Sequence, residues 1–186
     1  MFHLSNVDRE QIGVAEAAGV LPELDGDRIK RGSIFVTCAD GDQFRSVHDG
    51  LCLVSETSRH HPLSLNGGAL LMAPMSAGDI PDAGIDGDVL LRHINQANQI
   101  KRIPSVVLCS HAPCGVAYGF GLDFFEVLRR MIEAKRRVRL ALGFNDVEKV
   151  LCLLHIDYGE GVKKLHRIRK EKTVKFLEEQ GRSVRF

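Results

Sequence analysis

The sequence predicts an α/β fold, a doubly wound, mostly parallel sheet of about five strands flanked by helices. Three observations predict it. Runs such as Ser33-Ile-Phe-Val-Thr-Cys38, Val106-Val-Leu-Cys109 and Val150-Leu-Cys-Leu-Leu154 are almost continuously apolar, as strands buried on both faces are. Longer segments between them carry helical periodicity; over 122–138, Phe125, Leu128 and Ile132 fall on one face. Turn-forming stretches such as Ala39-Asp-Gly-Asp42 punctuate the passage from strand to helix.

The elements follow in order. A helix is expected over 6–18, opened by the capping pair Ser5-Asn6 and closed by Gly19. Strands are expected near 33–38, 50–55, 68–73, 104–110 and 149–157, with helices over 88–101 and 122–138. Tyr158-Gly-Glu-Gly161 should turn the last of these strands into an edge hairpin through 162–168, and a basic helix should follow over 169–180. With 186 residues, no Pro/Ser-rich linker and no internal repeat, the chain is expected to form one domain over 1–186. Five cysteines, an odd number, argue for a reducing compartment rather than a disulfide framework. The first residues lack a basic stretch followed by an apolar one, and no apolar run approaches about 18 residues. The cytoplasm is therefore the expected location, with no membrane span.

Chemistry concentrates at Cys38 and at His111-Ala-Pro-Cys114. Both motifs stand where a predicted strand stops. In an open parallel sheet the carboxyl ends of strands line one crevice, so residues distant in sequence can meet there. Pro113 and Gly115 let the chain fold back at once, so an imidazole and a thiolate can lie about 2.0 to 2.3 Å from one ion. Cys38, His111 and Cys114 thus read as a zinc triad with one position open. The other thiols, Cys52, Cys109 and Cys152, sit in apolar runs and read as core residues, as does His155; His93 falls on a helix beside Arg92.

Cys38-Ala-Asp40, then Asn66-Gly-Gly-Ala69, then His111-Ala-Pro-Cys114-Gly115 resembles the β-class carbonic anhydrases in motif order and flanks, over roughly residues 30 to 170. The resemblance implies Zn2+ held by Cys38, His111 and Cys114, and a dimer or higher even oligomer with sites near the subunit interface. It implies hydration of carbon dioxide to bicarbonate through zinc-bound hydroxide, with Asp40 as the catalytic residue that orients it. It also suggests that the amino-terminal helix packs on a partner subunit. One departure stands out: the family carries Arg two residues past its Asp, and this chain has Asp42. Without that guanidinium, Asp40 is a free carboxylate beside a cation and a possible fourth ligand, which would close the site. Arg45, Arg59 and Arg92 are candidate substitutes, and His48, His60 and His61 are candidates for carrying the proton away. Carbonyl sulfide and carbon disulfide would suit the same nucleophile. The alternative is a catalytically degenerate zinc protein of this fold with a structural or binding role.

Charge offers a different class of function. The net charge of +1 hides acids such as Asp82, Asp86 and Asp88 in the first half and a crowd of Lys and Arg from Arg129 onward. A basic face can bind nucleic acid, but the chain has no Trp and two Tyr, so stacking platforms are missing and nucleic acid is not an expected partner. The Gly115 to Gly121 segment lacks dinucleotide-loop spacing. A Cys114 nucleophile with His111 as base would leave Cys38 without a role.

Overall fold

The structure is a computed structural model that describes residues 3–24, 29–74, 80–146 and 149–184. Its elements alternate: α1 (Asn6–Ala17), β1 (Ser33–Cys38), α2 (Gly41–Leu53), β2 (His60–Leu65), a 3-10 turn (Gly68–Met72), α3 (Ala83–Lys101), β3 (Ser105–Ala112), α4 (Gly115–Gly119), α5 (Phe124–Asp146), β4 (Lys149–Gly159), β5 (Val162–Ile168) and α6 (Lys170–Glu179). The five strands form one sheet in the order β2-β1-β3-β4-β5. The first four are parallel, and β5 returns antiparallel to β4 as the predicted edge hairpin.

Burial explains why these runs are strands. Every residue of β1 and β3 is buried, which matches their unbroken apolar sequence. Alternate residues feed two cores. Ile34, Val36, Val106, Leu108, Cys152 and Leu154 face the larger one, which α1, α3, α5 and α6 cover with residues such as Ile12, Leu90, Ile94, Leu128, Met131 and Phe176. Phe35, Val107, Leu151 and Leu153 face the smaller one, closed by Val47 and Leu51 of α2. Helices therefore lie on both faces, and the chain reverses its direction of travel across the sheet between β1 and β3.

Three expectations are corrected. Residues 50–55 do not form a strand: they end α2, whose 3.6 spacing buries Val47 and Leu51 together and leaves Leu53 88% exposed. Gly50 lets this helix lie against β5, since a Cβ there would come within 2.9 Å of Leu165 Cδ2. Residues 68–73 form the 3-10 turn instead of a strand. Gly68 has φ +49° and presses on β1 so closely that a Cβ would meet the Cys38 backbone nitrogen at 2.4 Å. The missing strand is β2, half exposed and interrupted by Pro62, which an edge strand tolerates.

The amino-terminal helix is close to expectation. Ser5 caps it, its Oγ accepting from the Asp8 backbone N–H at 3.0 Å while Asp8 answers the Ser5 N–H at 3.2 Å. One face of it docks on its own chain: Gln11 Oε1 accepts from Phe125 N–H at 3.2 Å, and Tyr158 Oη donates to Glu16 at 2.7 Å, while Val7 and Val14 stay exposed. The basic second half is extensively paired within the chain. Arg129 and Arg130 bind Glu126 on α5, and Arg137 reaches Asp88 on α3 at 2.6 Å. No helix among the described residues is long and apolar enough to cross a membrane.

Gly68 is the test of this packing. Gly68→Ala should lower stability by about 2 kcal/mol or more through backbone overlap at a positive φ. Gly119→Ala, with nothing within 4 Å of its Cβ, should change it by less than about 0.5 kcal/mol. Urea unfolding of the two variants measures both; equal effects would contradict the packing.

Candidate metal centre

β1 and β3 run side by side in parallel, with Ile34 opposite Val106 and Val36 opposite Leu108. Continuing that register sets Cys38 level with Ser110, one residue before His111. Beyond Cys38 the chain is fixed at once: the Ala39 N–H donates to Leu65 O at 3.1 Å, and Asp40 becomes the N-cap of α2. Beyond β3, the chain bends through Pro113 and returns Cys114 to the strand ends as the residue that opens α4. The Cys38 and Cys114 sulfurs and a His111 ring nitrogen then lie within 4.8 Å of one another, all three residues buried. Among the described residues this is the one group of three such side chains so close together.

The site's polar atoms are poorly served by protein. His111 is 3% exposed, and among the described residues neither of its ring nitrogens makes a hydrogen bond of ordinary geometry, although the Cys38 sulfur and Asp40 Oδ2 stand beside it. A buried polar nitrogen left unpaired costs about 1 to 3 kcal/mol, so its persistence asks for a ligand. Cys38 Sγ accepts from the Gly67 backbone N–H at 3.2 Å. A hydrogen bond with Cys114 holds Cys38 well below the ordinary thiol range, to about 4, with His111 and the Gly67 N–H adding to it and burial opposing. The same sharing pushes the Cys114 thiol up, and burial pushes it further. The pair behaves as one thiolate and one thiol around a shared proton. Two sulfurs and one unpaired imidazole nitrogen at this separation fit a zinc ion; Cys38, His111 and Cys114 could hold it.

Asp40 stands beside the group, and among the described residues no Arg pairs with it. Its Oδ1 accepts from the Asp42 backbone N–H at 2.9 Å, and its Oδ2 lies 4.0 Å from His111 Nε2. Of the candidate substitutes, Arg45 is an exposed side chain 3.7 Å from Asp49, Arg59 donates to Lys101 O at 2.7 Å, and Arg92 lies on the outer side of α3. Asp42 occupies the first turn of α2, where an acid suits the positive end of the helix dipole.

Other expectations divide. Cys109 and Cys152 are core thiols, and burial pushes both up, Cys152 to about 11. Cys52 is only half buried, on α2 beside His48. His155 is buried, with Nε2 3.0 Å from Ser46 Oγ, and burial, with His111 and Lys163, pushes it down to about 4. His60 and His61 open β2, and Ser33 pairs with His60 while Cys38 pairs with Leu65. Five residues of strand, about 16 Å, therefore separate these imidazoles from the thiols, and they do not stand at the mouth of the site. Sequence reasoning missed the cavity beside the group. It measures about 220 Å³ and is walled by Pro113, Ala117, Phe124 and Val127 with His111 and Cys114 exposed to it. A larger cleft of about 670 Å³ lies on the other side, under α2, with Ser46 and His155 at its wall and no cysteine.

No family model matches this chain, and no curated protein does. Among solved structures it is similar to a carbonic anhydrase from Streptococcus mutans, at 16% identity over 89% of this chain and 99% of that one, TM-score 0.45. It is also similar to a β-carbonic anhydrase isoform I from Trichomonas vaginalis, at 12% identity over 89% and 100%, TM-score 0.41.

Because Cys114 keeps its proton in the metal-free protein, zinc uptake near pH 7 should release at least one proton. Affinity should then weaken about tenfold for each proton displaced per unit fall in pH. Calorimetric titration in buffers of different ionisation enthalpy counts the protons; none released would contradict the thiol pairing.

Proposed function

We propose that the protein is a zinc-binding, carbonic anhydrase-like enzyme that hydrates carbon dioxide to bicarbonate. The observation that supports it most is the buried Cys38, His111 and Cys114 group, with an unpaired His111 nitrogen beside two sulfurs that share a proton. Zinc, when bound, would bring the pKa of a water molecule near neutrality and so supply a nucleophile. The chain's own residues supply the rest. The cavity beside His111 and Cys114 is small and largely apolar, suited to a small uncharged electrophile and poor for holding a product anion. Asp40 has one oxygen engaged by the Asp42 N–H and the other free toward His111. The free oxygen can accept a hydrogen bond from the attacking water and fix its orientation. That backbone restraint does part of what an Arg partner would do, whatever side chain stands at position 42.

The 4.0 Å approach of Asp40 to His111 also favours a second reading. There Asp40 becomes the fourth ligand, and the protein keeps the metal as a structural clip or acts on a related electrophile. A reducing compartment suits either reading, since all five cysteines are unpaired, and the cytoplasm is the location we propose. A homodimer is proposed as its assembly.

Stopped-flow carbon dioxide hydration on protein of known zinc content separates the readings. Metal-dependent turnover should appear, and Asp40→Asn should lower kcat about 100-fold with zinc content unchanged. Stoichiometric zinc at the Cys38, His111 and Cys114 group with no turnover from pH 7 to 9 would overturn the enzyme reading and leave the closed site.

A further inference from the structure

We propose that His48, Cys52 and His60 form a second site, for a thiophilic transition-metal ion, at the opposite end of β1 from the first. It does not rest on the proposed activity. His48 and Cys52 stand one helical turn apart on α2, so both side chains leave the same face. The thiol lies 3.8 Å from His48 Nδ1 and 4.0 Å from Nε2, near the separation of two ligands on one tetrahedral zinc. The third donor comes from β2. The His60 ring meets that of His48 edge to face, centroids 5.9 Å apart.

His60 is prepared as a ligand. Its Nδ1 lies 2.9 Å from Ser33 Oγ, which fixes the ring, while Nε2 is buried with no hydrogen-bond partner among the described residues. Imidazoles that bind metals are anchored in this way through the nitrogen that does not ligate. Phe44 stacks on His48 with centroids 6.1 Å apart, and Phe35 lies against Phe44, so the imidazole is backed by an apolar wall. Asp49 Oδ1, 4.0 Å from His48 Nδ1, stands where it or a water could complete four positions. The three donors do not converge as those of the first group do, so binding here requires the half-buried His48 and Cys52 side chains to turn toward His60. One thiolate with two imidazoles selects Zn2+ or Cu(I) over hard ions such as Mg2+ or Ca2+.

Equilibrium dialysis of the full chain against Zn2+ under reducing conditions, followed by elemental analysis, tests the site. Wild type should hold two ions per chain. Cys52→Ser and His60→Gln should each hold one fewer, with the circular dichroism of the native fold. In a Cys38→Ser/Cys114→Ser background one ion should remain, and the thiolate charge-transfer absorption of its Co2+ form should vanish on adding Cys52→Ser. If that background does not fold, the wild-type and Cys52→Ser counts decide. Equal counts in the two, or thiolate absorption that survives Cys52→Ser, would overturn the proposal. Failure of the first site alone would instead give one ion in wild type and none in Cys52→Ser.

Discussion

The carboxyl ends of β1 and β3 stop side by side in the middle of a parallel sheet, and the candidate centre depends on that adjacency. From β1 the chain leaves toward one edge, and from β3 it leaves toward the other, which opens a crevice where ligands can bind. Cys38 and His111 reach that crevice simply by ending their strands. Gly68 then clamps the end of β1 from one side, and α5, packed on the larger core, holds the return that carries Cys114. The donors are thus held by elements whose own burial is large, so the cost of gathering them falls on the fold rather than on the ion.

The same arrangement leaves chemistry unsettled in the bare protein. Two sulfurs share a proton, and a buried imidazole makes no hydrogen bond of ordinary geometry among the described residues. A core built only for stability would have filled these positions with packed apolar groups or complete hydrogen bonds. A cation would answer both, displacing the shared thiol proton and accepting one nitrogen of the unpaired imidazole. Asp40 adds a further negative group, and its tie to the Asp42 N–H decides how freely that carboxylate can approach the ion.

The buried strands were legible because β1, β3 and β4 are apolar on both faces, and so was the gathering of Cys38, His111 and Cys114, because these residues stand at or just past the ends of β1 and β3. β2 was illegible for the opposite reason. Its alternating, Pro62-containing sequence looks like a loop unless its place at the sheet edge is known. The apolar Leu51-Cys-Leu-Val54 run read as a strand because four residues cannot distinguish periods of 2 and 3.6. Tertiary packing decided it, burying Leu51 beneath α2 and turning Leu53 outward. That error hid the neighbourhood of Cys52 and His48, which only a helix brings together. The absent Arg was visible in the sequence, but the backbone bond that restrains Asp40 was not.

The central claim is that Cys38, His111 and Cys114 hold one zinc ion. X-ray absorption at the zinc edge of Cys52→Ser protein, loaded with one equivalent, tests it most directly. The account predicts two sulfur scatterers at about 2.3 Å and at least one imidazole nitrogen at about 2.0 Å, with one sulfur lost in the additional Cys114→Ser variant. A shell of nitrogen and oxygen alone, or one unchanged by that variant, would contradict it.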